Sequence, residues 1–234
     1  MIGYNQEANN TTGFNAGREQ LISNDLGSLS YATGDRWVGS SDNSWATRSG
    51  FFRINYGYDE RYLLEVNGRY DLSSKFPKHD RAVFNPSFSA AWRLSNESWF
   101  KSWTNSFFDE LKIRGSYGLV GSDETGLSAG AQHFLYIGQV SLNNIGFTTG
   151  VDMNYTLYGP LVTNYAVVNG GWERVKKLDI GIDLELFRQL TITADYFNEK
   201  RYNILLHREA WPESLGYYTA KPWSNKGKVD NWGY

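Results

Sequence analysis

The sequence predicts an all-β fold, an antiparallel up-and-down meander that makes up a partial segment of a large transmembrane β-barrel. Three observations support this prediction. Several segments alternate apolar and polar residues with a period of two, which is typical of strands with two different faces. Aromatic residues form 16% of the 234 residues, and Tyr and Trp concentrate where an apolar layer meets water. The connections between strands alternate between very short and very long, as they do in membrane barrels.

The composition excludes several classes of site. The chain has no cysteine, so disulfides, thiolate metal sites and cysteine nucleophiles are excluded. Its formal net charge is −2 and it has no basic block, so we expect no nucleic-acid partner. His79, His133 and His207 stand in separate segments without ligand spacing, so we expect no metal and no cofactor.

The clearest hairpin lies between residues 51 and 71. In Tyr62–Asp71 one parity is Tyr, Leu, Val, Gly and Tyr, and the other carries the charges. Phe51–Tyr58 alternates in the same way, and the polar residues 59–61 separate the two segments as a short turn. Aromatic residues cluster at this turn, as an interfacial girdle would: Tyr56, Tyr58 and Tyr62.

Four more segments show strand periodicity. Two lie in the middle of the chain, and two form a second hairpin joined by Arg188-Gln189. They are Ser87–Leu94, Leu111–Leu119, Leu178–Leu186 and Leu190–Tyr196.

The connections predict which end of each strand faces which side of the membrane. Barrel transporters have short periplasmic turns and long outer loops, so Ser73–Asn85 and Gly121–Gly171 are predicted to lie outside. The second loop must then contain no barrel strand or an even number; His133–Val140 and Asn154–Val168 are candidates for an outer hairpin. Two other segments have different predictions: a longer, partly helical periplasmic connection at Ser95–Glu110, and a strand end followed by a polar loop at residues 1–46.

The polar parity of the strands supplies the candidate lumen residues. An Arg or Lys on the lipid face costs about 2–4 kcal/mol at the midplane, so the charges should face a water-filled interior. They could line the passage, pair across strands or contact a plug. The candidates are Arg53, Glu65, Asn67, Arg69, Asp71, Arg93, Lys112, Arg114, Asp179, Asp183, Glu185 and Asp195.

Aromatic residues in the loops are candidate ligand contacts at the outer mouth. They could stack on sugar rings or on peptide side chains, although packing within the loops and anchoring at the interface are the simpler explanation. These residues are Trp37, Trp45, Tyr136, Trp211, Tyr217, Tyr218 and Trp223.

Alternation also permits a soluble fold. A secreted β-sandwich that binds carbohydrate would bury the apolar parity in a dry core between two sheets and expose the polar parity. The adjacent carboxylate pairs do not favour an enzyme, because neighbouring strand residues face opposite sides and cannot flank one substrate bond. No phosphate-binding, hydrolase or zinc-protease motif is present in the sequence.

Several stretches, in order, resemble the C-terminal barrel region of the SusC/RagA-like TonB-dependent transporters. The resemblance covers most of residues 45–206, and its strength lies in the order and spacing of the whole set. The stretches are Ser49–Tyr56 with Arg61–Glu65, Asn85–Leu94, Leu111–Gly118, and Trp172-Glu173 with Asp179–Asp183; Asn225–Val229 resembles the family's next strand.

This resemblance implies a function in nutrient uptake rather than catalysis. It implies a location in the outer membrane, in contact with its lipid, and a substrate that is an oligosaccharide or a peptide. A SusD-like surface lipoprotein would be a partner, and the TonB complex would act through a plug domain that residues 1–234 lack. Because such barrels have about 22 strands, residues 1–234 are predicted to be a single partial barrel region that also lacks the final strands.

Overall fold

A computed structural model describes residues 1–25, 27–104, 108–124, 134–167, 170–187, 189–207 and 223–234. Within these residues the chain is almost entirely antiparallel β-structure. No helix in the described part is long and apolar enough to cross a membrane.

Ten strands follow one another along the described chain. Eight of them form one sheet in the order β1-β2-β3-β4-β5-β8-β9-β10, and β6 and β7 form a separate two-stranded sheet. Every sheet neighbour is the next strand in sequence except where the β6–β7 hairpin intervenes, so the predicted up-and-down meander is confirmed. The strands are β1 (Ile2–Arg18), β2 (Arg36–Tyr58), β3 (Tyr62–Ser73), β4 (Ala82–Arg93), β5 (Phe108–Ser122), β6 (Gln139–Thr149), β7 (Tyr155–Asn164), β8 (Glu173–Leu186), β9 (Leu190–His207) and β10 (Trp223–Gly233).

The short turns set the register of the sheet. Tyr58 and Tyr62 are paired, and Asp59 and Glu60 between them adopt the left-handed conformation with φ of 50° and 52°. Phe187 has the same conformation, with φ of 54°, in the turn between β8 and β9. Turns with positive φ match the right-handed twist of the strands they join. The register they impose keeps each parity of neighbouring strands on one face.

The apolar face of the sheet is exposed. Ile54 is 60% exposed, Leu64 48%, Phe88 52% and Ile180 48%, although all four belong to the apolar parity of their strands. A β-sandwich would bury these side chains against a second sheet. Within the described residues these side chains are not buried against a second sheet, so the structure favours the barrel segment over the sandwich.

The N-terminal prediction was wrong. Residues 1–46 contain strand β1 and the first half of β2 instead of a polar loop. The chain separates into two compact units, residues 7–46 and residues 1–6 with 47–234. The first is a long hairpin, closed at its tip by a short 3₁₀ turn at Leu29–Tyr31 and by the buried Ala32. Polar and Gly-rich strands have weak hydrophobic periodicity, which is why the pattern did not reveal them.

The predicted outer loops need smaller corrections. The Ser73–Asn85 connection is shorter than expected, because β3 continues to Ser73 and β4 already begins at Ala82. The outer hairpin exists as β6 and β7, and neither strand joins the eight-stranded sheet within the described residues. Its first strand lies further along the chain than His133–Val140, and His133 itself lies outside the described residues.

The longer connection between β4 and β5, at the short-turn end of the strands, is partly helical, as predicted. A 3₁₀ turn at Leu94–Asn96 leads into the short helix α1 at Ser98–Thr104, and β5 begins at Phe108.

Candidate functional site

The polar face of the sheet brings most of the predicted lumen residues together. In the register, Arg93 pairs with Lys112, which in turn pairs with Asp183. The next position on the same face of β5 is Arg114, which pairs with Gly181 on β8, and Gly181 pairs in turn with Asp195 on β9. The alternation of the sequence therefore becomes rows of charge that run across the strands.

Arg114 is the centre of the larger charge cluster. Its Nη1 lies 3.3 Å from Asp179 Oδ1 and its Nε lies 3.3 Å from Asp183 Oδ2, and it also forms an ion pair with Asp195. Lys112 Nζ approaches the same Asp183 Oδ2 at 3.3 Å. Two cations and three carboxylates from three neighbouring strands thus compensate one another.

Gly181 provides the space for this cluster. It stands between Arg114 and Asp195 in the register, and a Cβ atom at 181 would lie 2.8 Å from Arg114 Cζ and would overlap Asp195 Oδ1. A side chain there would displace the guanidinium or the carboxylate from its present position. Glycine at 181 therefore lets the two groups meet across β8 without such a shift.

A second polar cluster lies on β2, β3 and β4. Arg53 pairs with Glu65, which also accepts a 2.7 Å hydrogen bond from Asn67. Arg69 Nε lies 2.6 Å from Asp71 Oδ1, and Asp71 Oδ2 accepts a hydrogen bond from the Asn85 amide at 3.0 Å.

Small side chains separate the two clusters. Ser89, Ala91 and Ser116 line a shallow recess of about 460 Å³ that also borders Glu65 and Arg114. Two candidates lie at the short-turn margin of the face: Arg93 approaches Glu110 at 3.6 Å, and Glu185 is paired with Glu110 in the register. The described part of this face therefore presents groups that can bind polar ligands and water.

The structure does not gather the predicted mouth aromatics into one described site. The loop assignment was wrong for Trp37 and Trp45, which lie on β2 within the hairpin of residues 7–46, and for Trp223, the first residue of β10. Trp37 is 53% exposed and Trp45 is half-buried. Tyr136 packs edge-on against Phe134, and Trp223 pairs with His207 at the start of β10. The other three, Trp211, Tyr217 and Tyr218, lie outside the described residues.

Sequence patterns did not reveal a loop cluster at the long-loop end of the sheet. Phe76 is 7% exposed and its ring lies 5.1 Å from that of Trp172. The Trp172 indole donates to the Arg81 carbonyl at 3.2 Å, and Lys75 pairs with Asp123 at 3.1 Å. These residues come from three connections without periodicity. The one signal in the sequence is an isolated aromatic residue within a polar segment, as at Phe76 and Trp172.

The short-turn end has a polar centre of its own at Glu97. Its carboxylate accepts hydrogen bonds from the Tyr62 hydroxyl at 2.8 Å and from Trp92 Nε1 at 3.1 Å, and Arg61 lies 3.4 Å away. The hydrogen bonds from Tyr62 and Trp92, together with the Arg61 charge, lower the pKa of Glu97 below its ordinary value. Glu97 is therefore held as a carboxylate at neutral pH.

The clusters do not have the form of a metal centre. Among the residues that the structure describes, no group of three or more His, Asp or Glu side chains could hold a metal ion. In the largest acidic group, Arg114 occupies the position between the carboxylates.

Comparisons with known proteins agree with this architecture. The chain is 27% identical over 239 residues to TonB-dependent receptor P3 of Formosa agariphila, covering 99% of the chain and 22% of that protein. It is 28% identical over 198 residues to TonB-dependent receptor SusC of Bacteroides thetaiotaomicron, covering 81% of the chain and 18% of SusC. The chain thus spans about a fifth of the length of these relatives.

A solved structure shares the fold. The RagAB peptide transporter superposes with a TM-score of 0.74 at 19% identity, over 98% of this chain and 24% of the matched chain. The family model described as TonB dependent receptor-like, beta-barrel, matches residues 2–234. The similarity to SusC and to RagAB agrees with the resemblance seen in the motifs. The chain therefore belongs to the TonB-dependent receptor β-barrel family.

Proposed function

We propose that this chain forms part of the wall of an outer-membrane transporter that imports oligosaccharides or peptides. The observation that carries the proposal is the contrast between the two faces of one sheet. Its apolar face is exposed, which suits contact with lipid, and its polar face carries compensated charges, which suits a water-filled lumen. The residues of the Arg114 cluster and of the Arg53–Asp71 cluster would line that lumen.

The energy source and the partners follow from the family. TonB would act through a plug domain, and a SusD-like surface lipoprotein would cover the outer mouth. The plug would lie within the lumen and could contact the polar clusters. Substrate capture and plug displacement need no covalent step, so we propose transport without enzymatic activity.

Aromatic residues in the loops and at the adjoining strand segments would select the substrate. Trp37, Trp45, Tyr136 and Trp223 present rings that can stack on sugars or on apolar peptide side chains. The residues 211, 217 and 218 add one more Trp and two Tyr to the same set. The similarity to RagAB, which is a peptide transporter, supports a peptide substrate, and the resemblance of the sequence motifs keeps an oligosaccharide as the alternative.

Fractionation of the native source tests the proposal. An antibody to this segment should detect a band in the outer-membrane fraction, at a mass far above the 26.7 kDa of residues 1–234. A soluble band near 26.7 kDa would contradict the proposal and favour the secreted carbohydrate-binding sandwich.

A growth assay would then distinguish the substrates. A strain without the gene should fail to grow when the imported oligosaccharide or peptide is the sole carbon source and should grow normally on its monomers. Unimpaired growth on both polymer classes would contradict a role in nutrient import.

A further inference from the structure

One carboxylate lies on the apolar side of the sheet. Tyr62 and Trp92 belong to the apolar parity of β3 and β4, yet both donate hydrogen bonds to Glu97 Oε1, at 2.8 Å and 3.1 Å. Glu97 is only 6% exposed. The connection between β4 and β5 must therefore fold back over the margin of the apolar face at the short-turn end of the strands.

The aromatic rings around this carboxylate form a continuous strip. The Tyr62 ring lies 6.4 Å from that of Tyr58 and is stacked on Trp92 at 6.0 Å with an interplanar angle of 16°. The strip crosses β2, β3 and β4 beside the short turn. Tyr and Trp rings in such a position are typical of the boundary between hydrocarbon and headgroups.

The chain continues from Glu97 into a pair of aromatic residues with different environments. Phe100 is 6% exposed, whereas Trp99 is 55% exposed, and their rings meet edge to face at 5.7 Å. Phe100 secures the start of α1 against the protein. Trp99 stands two residues after Glu97 and carries a large ring that the described part of the protein leaves half uncovered.

Charged groups border the strip on the side of the turn. Arg61 lies 2.9 Å from Asp59 and 3.4 Å from Glu97, and the Asn96 amide donates to the Glu60 carbonyl at 3.1 Å. An apolar strip with a charged margin matches the polarity gradient of a lipid headgroup layer. A protein partner would not require this gradient.

From these contacts we propose that residues 94–100 form an interfacial anchor. Glu97 clamps the connection to Tyr62 and Trp92, and the clamp presents Trp99 to the headgroup layer of the leaflet beside the short turns. The anchor would fix the depth in the membrane at which the short-turn ends of β3 and β4 lie. The inference rests on the proposed membrane location and adds a specific lipid contact to it.

Depth measurements with a spin label test the anchor. Because residues 1–234 contain no cysteine, Trp99→Cys creates a unique thiol in this region, and any cysteine elsewhere in the full-length protein is first replaced by serine. The full-length protein is labelled in phosphatidylcholine vesicles, and collisions with oxygen and with a water-soluble nickel chelate are compared. Ile180→Cys serves as the mid-membrane reference, and Ser102→Cys repeats the measurement one helical turn from Trp99.

The label at 99 should lie at headgroup depth, between the values for Ile180→Cys and for free label in water. A value equal to that of free label would overturn the anchor while leaving the proposed function intact, provided that Ile180→Cys reports hydrocarbon. If the label at 180 also reports water, the membrane location fails and the anchor fails with it.

A second pair of variants tests the clamp itself. Glu97→Ala, added to Trp99→Cys, removes the acceptor for both ring donors, so the label should lose its immobilised spectral component and become more accessible to the nickel chelate. Glu97→Gln retains an acceptor oxygen and should preserve most of the immobilised component. Identical spectra for Glu97→Ala and the parent would contradict the clamp, and unchanged heat-modifiable migration verifies that each variant has assembled.

Discussion

The side chains on the two faces of the eight-stranded sheet interact with their surroundings in different ways. On the polar face, charged groups from neighbouring strands compensate one another, as Arg114 does with Asp179, Asp183 and Asp195. On the apolar face, side chains such as Ile54 at 60% and Tyr196 at 42% remain exposed. Within the described residues the clusters of the polar face therefore compensate their own charges, although Asn85 Oδ1 and Arg93 Nε have no hydrogen-bond partner. The apolar face instead presents its side chains to an apolar surrounding.

This difference separates a membrane wall from a soluble sheet. A soluble protein rarely exposes one contiguous apolar surface over several strands. A lipid bilayer makes that exposure favourable and makes any charge on the same face costly. Substitutions that place a charge on the apolar face, or that add volume to the polar face, therefore test the comparison directly.

The largest effect should come from a charge on the apolar face. Leu64→Arg places a guanidinium among lipid chains and should destabilise the assembled protein by about 2–4 kcal/mol, which would block membrane assembly. Asn67→Arg adds the same charge to the polar face, close to Glu65, and should be tolerated. Heat-modifiable migration of the full-length protein measures assembly, and equal assembly of both variants would refute the assignment of faces.

A smaller effect should come from added volume on the polar face. Gly181→Ala places a methyl group between Arg114 and Asp195. Because the contacting atoms are the ends of flexible, partly exposed side chains, we expect a cost at the low end of the roughly 1–3 kcal/mol that overpacking causes. Gly115→Ala in the neighbouring strand is the matched control, because its Cβ would meet only the Asp179 carbonyl at 3.8 Å. Urea unfolding should show a lower midpoint for Gly181→Ala alone.

Loss of the central cation should have a further, smaller effect. Arg114→Met leaves three carboxylates close together with Lys112, but water reaches the cluster, since the Arg114 side chain is 31% exposed. We expect a loss of about 1 kcal/mol, in the range measured for partly exposed ion-pair networks. Arg69→Met, at a side chain that is 53% exposed, should change the urea midpoint less. Equal shifts would show that the cluster contributes nothing beyond single surface pairs.

The smallest effect concerns pH at the edge of the apolar face. Because its hydrogen bonds lower the pKa of Glu97, this carboxylate stabilises the fold at neutral pH, and the stabilisation is lost as the pH falls below the ordinary carboxyl range of about 4 to 5. Glu97→Gln cannot titrate at this position. The urea midpoint of the parent should therefore fall more steeply between neutral and acidic pH than that of Glu97→Gln, and parallel curves would contradict the effect.

The sequence predicted the strands whose two parities differ most. Tyr62–Asp71 appears as β3, which continues to Ser73, and Leu178–Leu186 appears as the second part of β8, which already begins at Glu173. Both were found because their apolar and polar residues alternate strictly. The strands of residues 7–46 were missed because both of their faces are polar or weakly apolar, so their periodicity is faint.

The sequence predicted which residues belong to the candidate site, but it did not predict which of them contact one another. Parity alone assigned Arg53, Lys112, Arg114 and Asp183 to one face. It could not show that Arg114 is shared by three carboxylates, since the residues are up to 81 positions apart and depend on the order of β5, β8 and β9. The Phe76–Trp172 contact and the Glu97 clamp were also invisible, because Phe76, Trp172 and Glu97 lie in connections where no period applies.

The sequence by itself determined the fold class, the parity of the faces and the family, because alternation and ordered motifs are local properties of the chain. The tertiary structure decided which charges meet, which glycine gives them room and where a carboxylate crosses to the apolar edge. Those outcomes depend on strand order and register, which bring distant residues to within hydrogen-bonding distance.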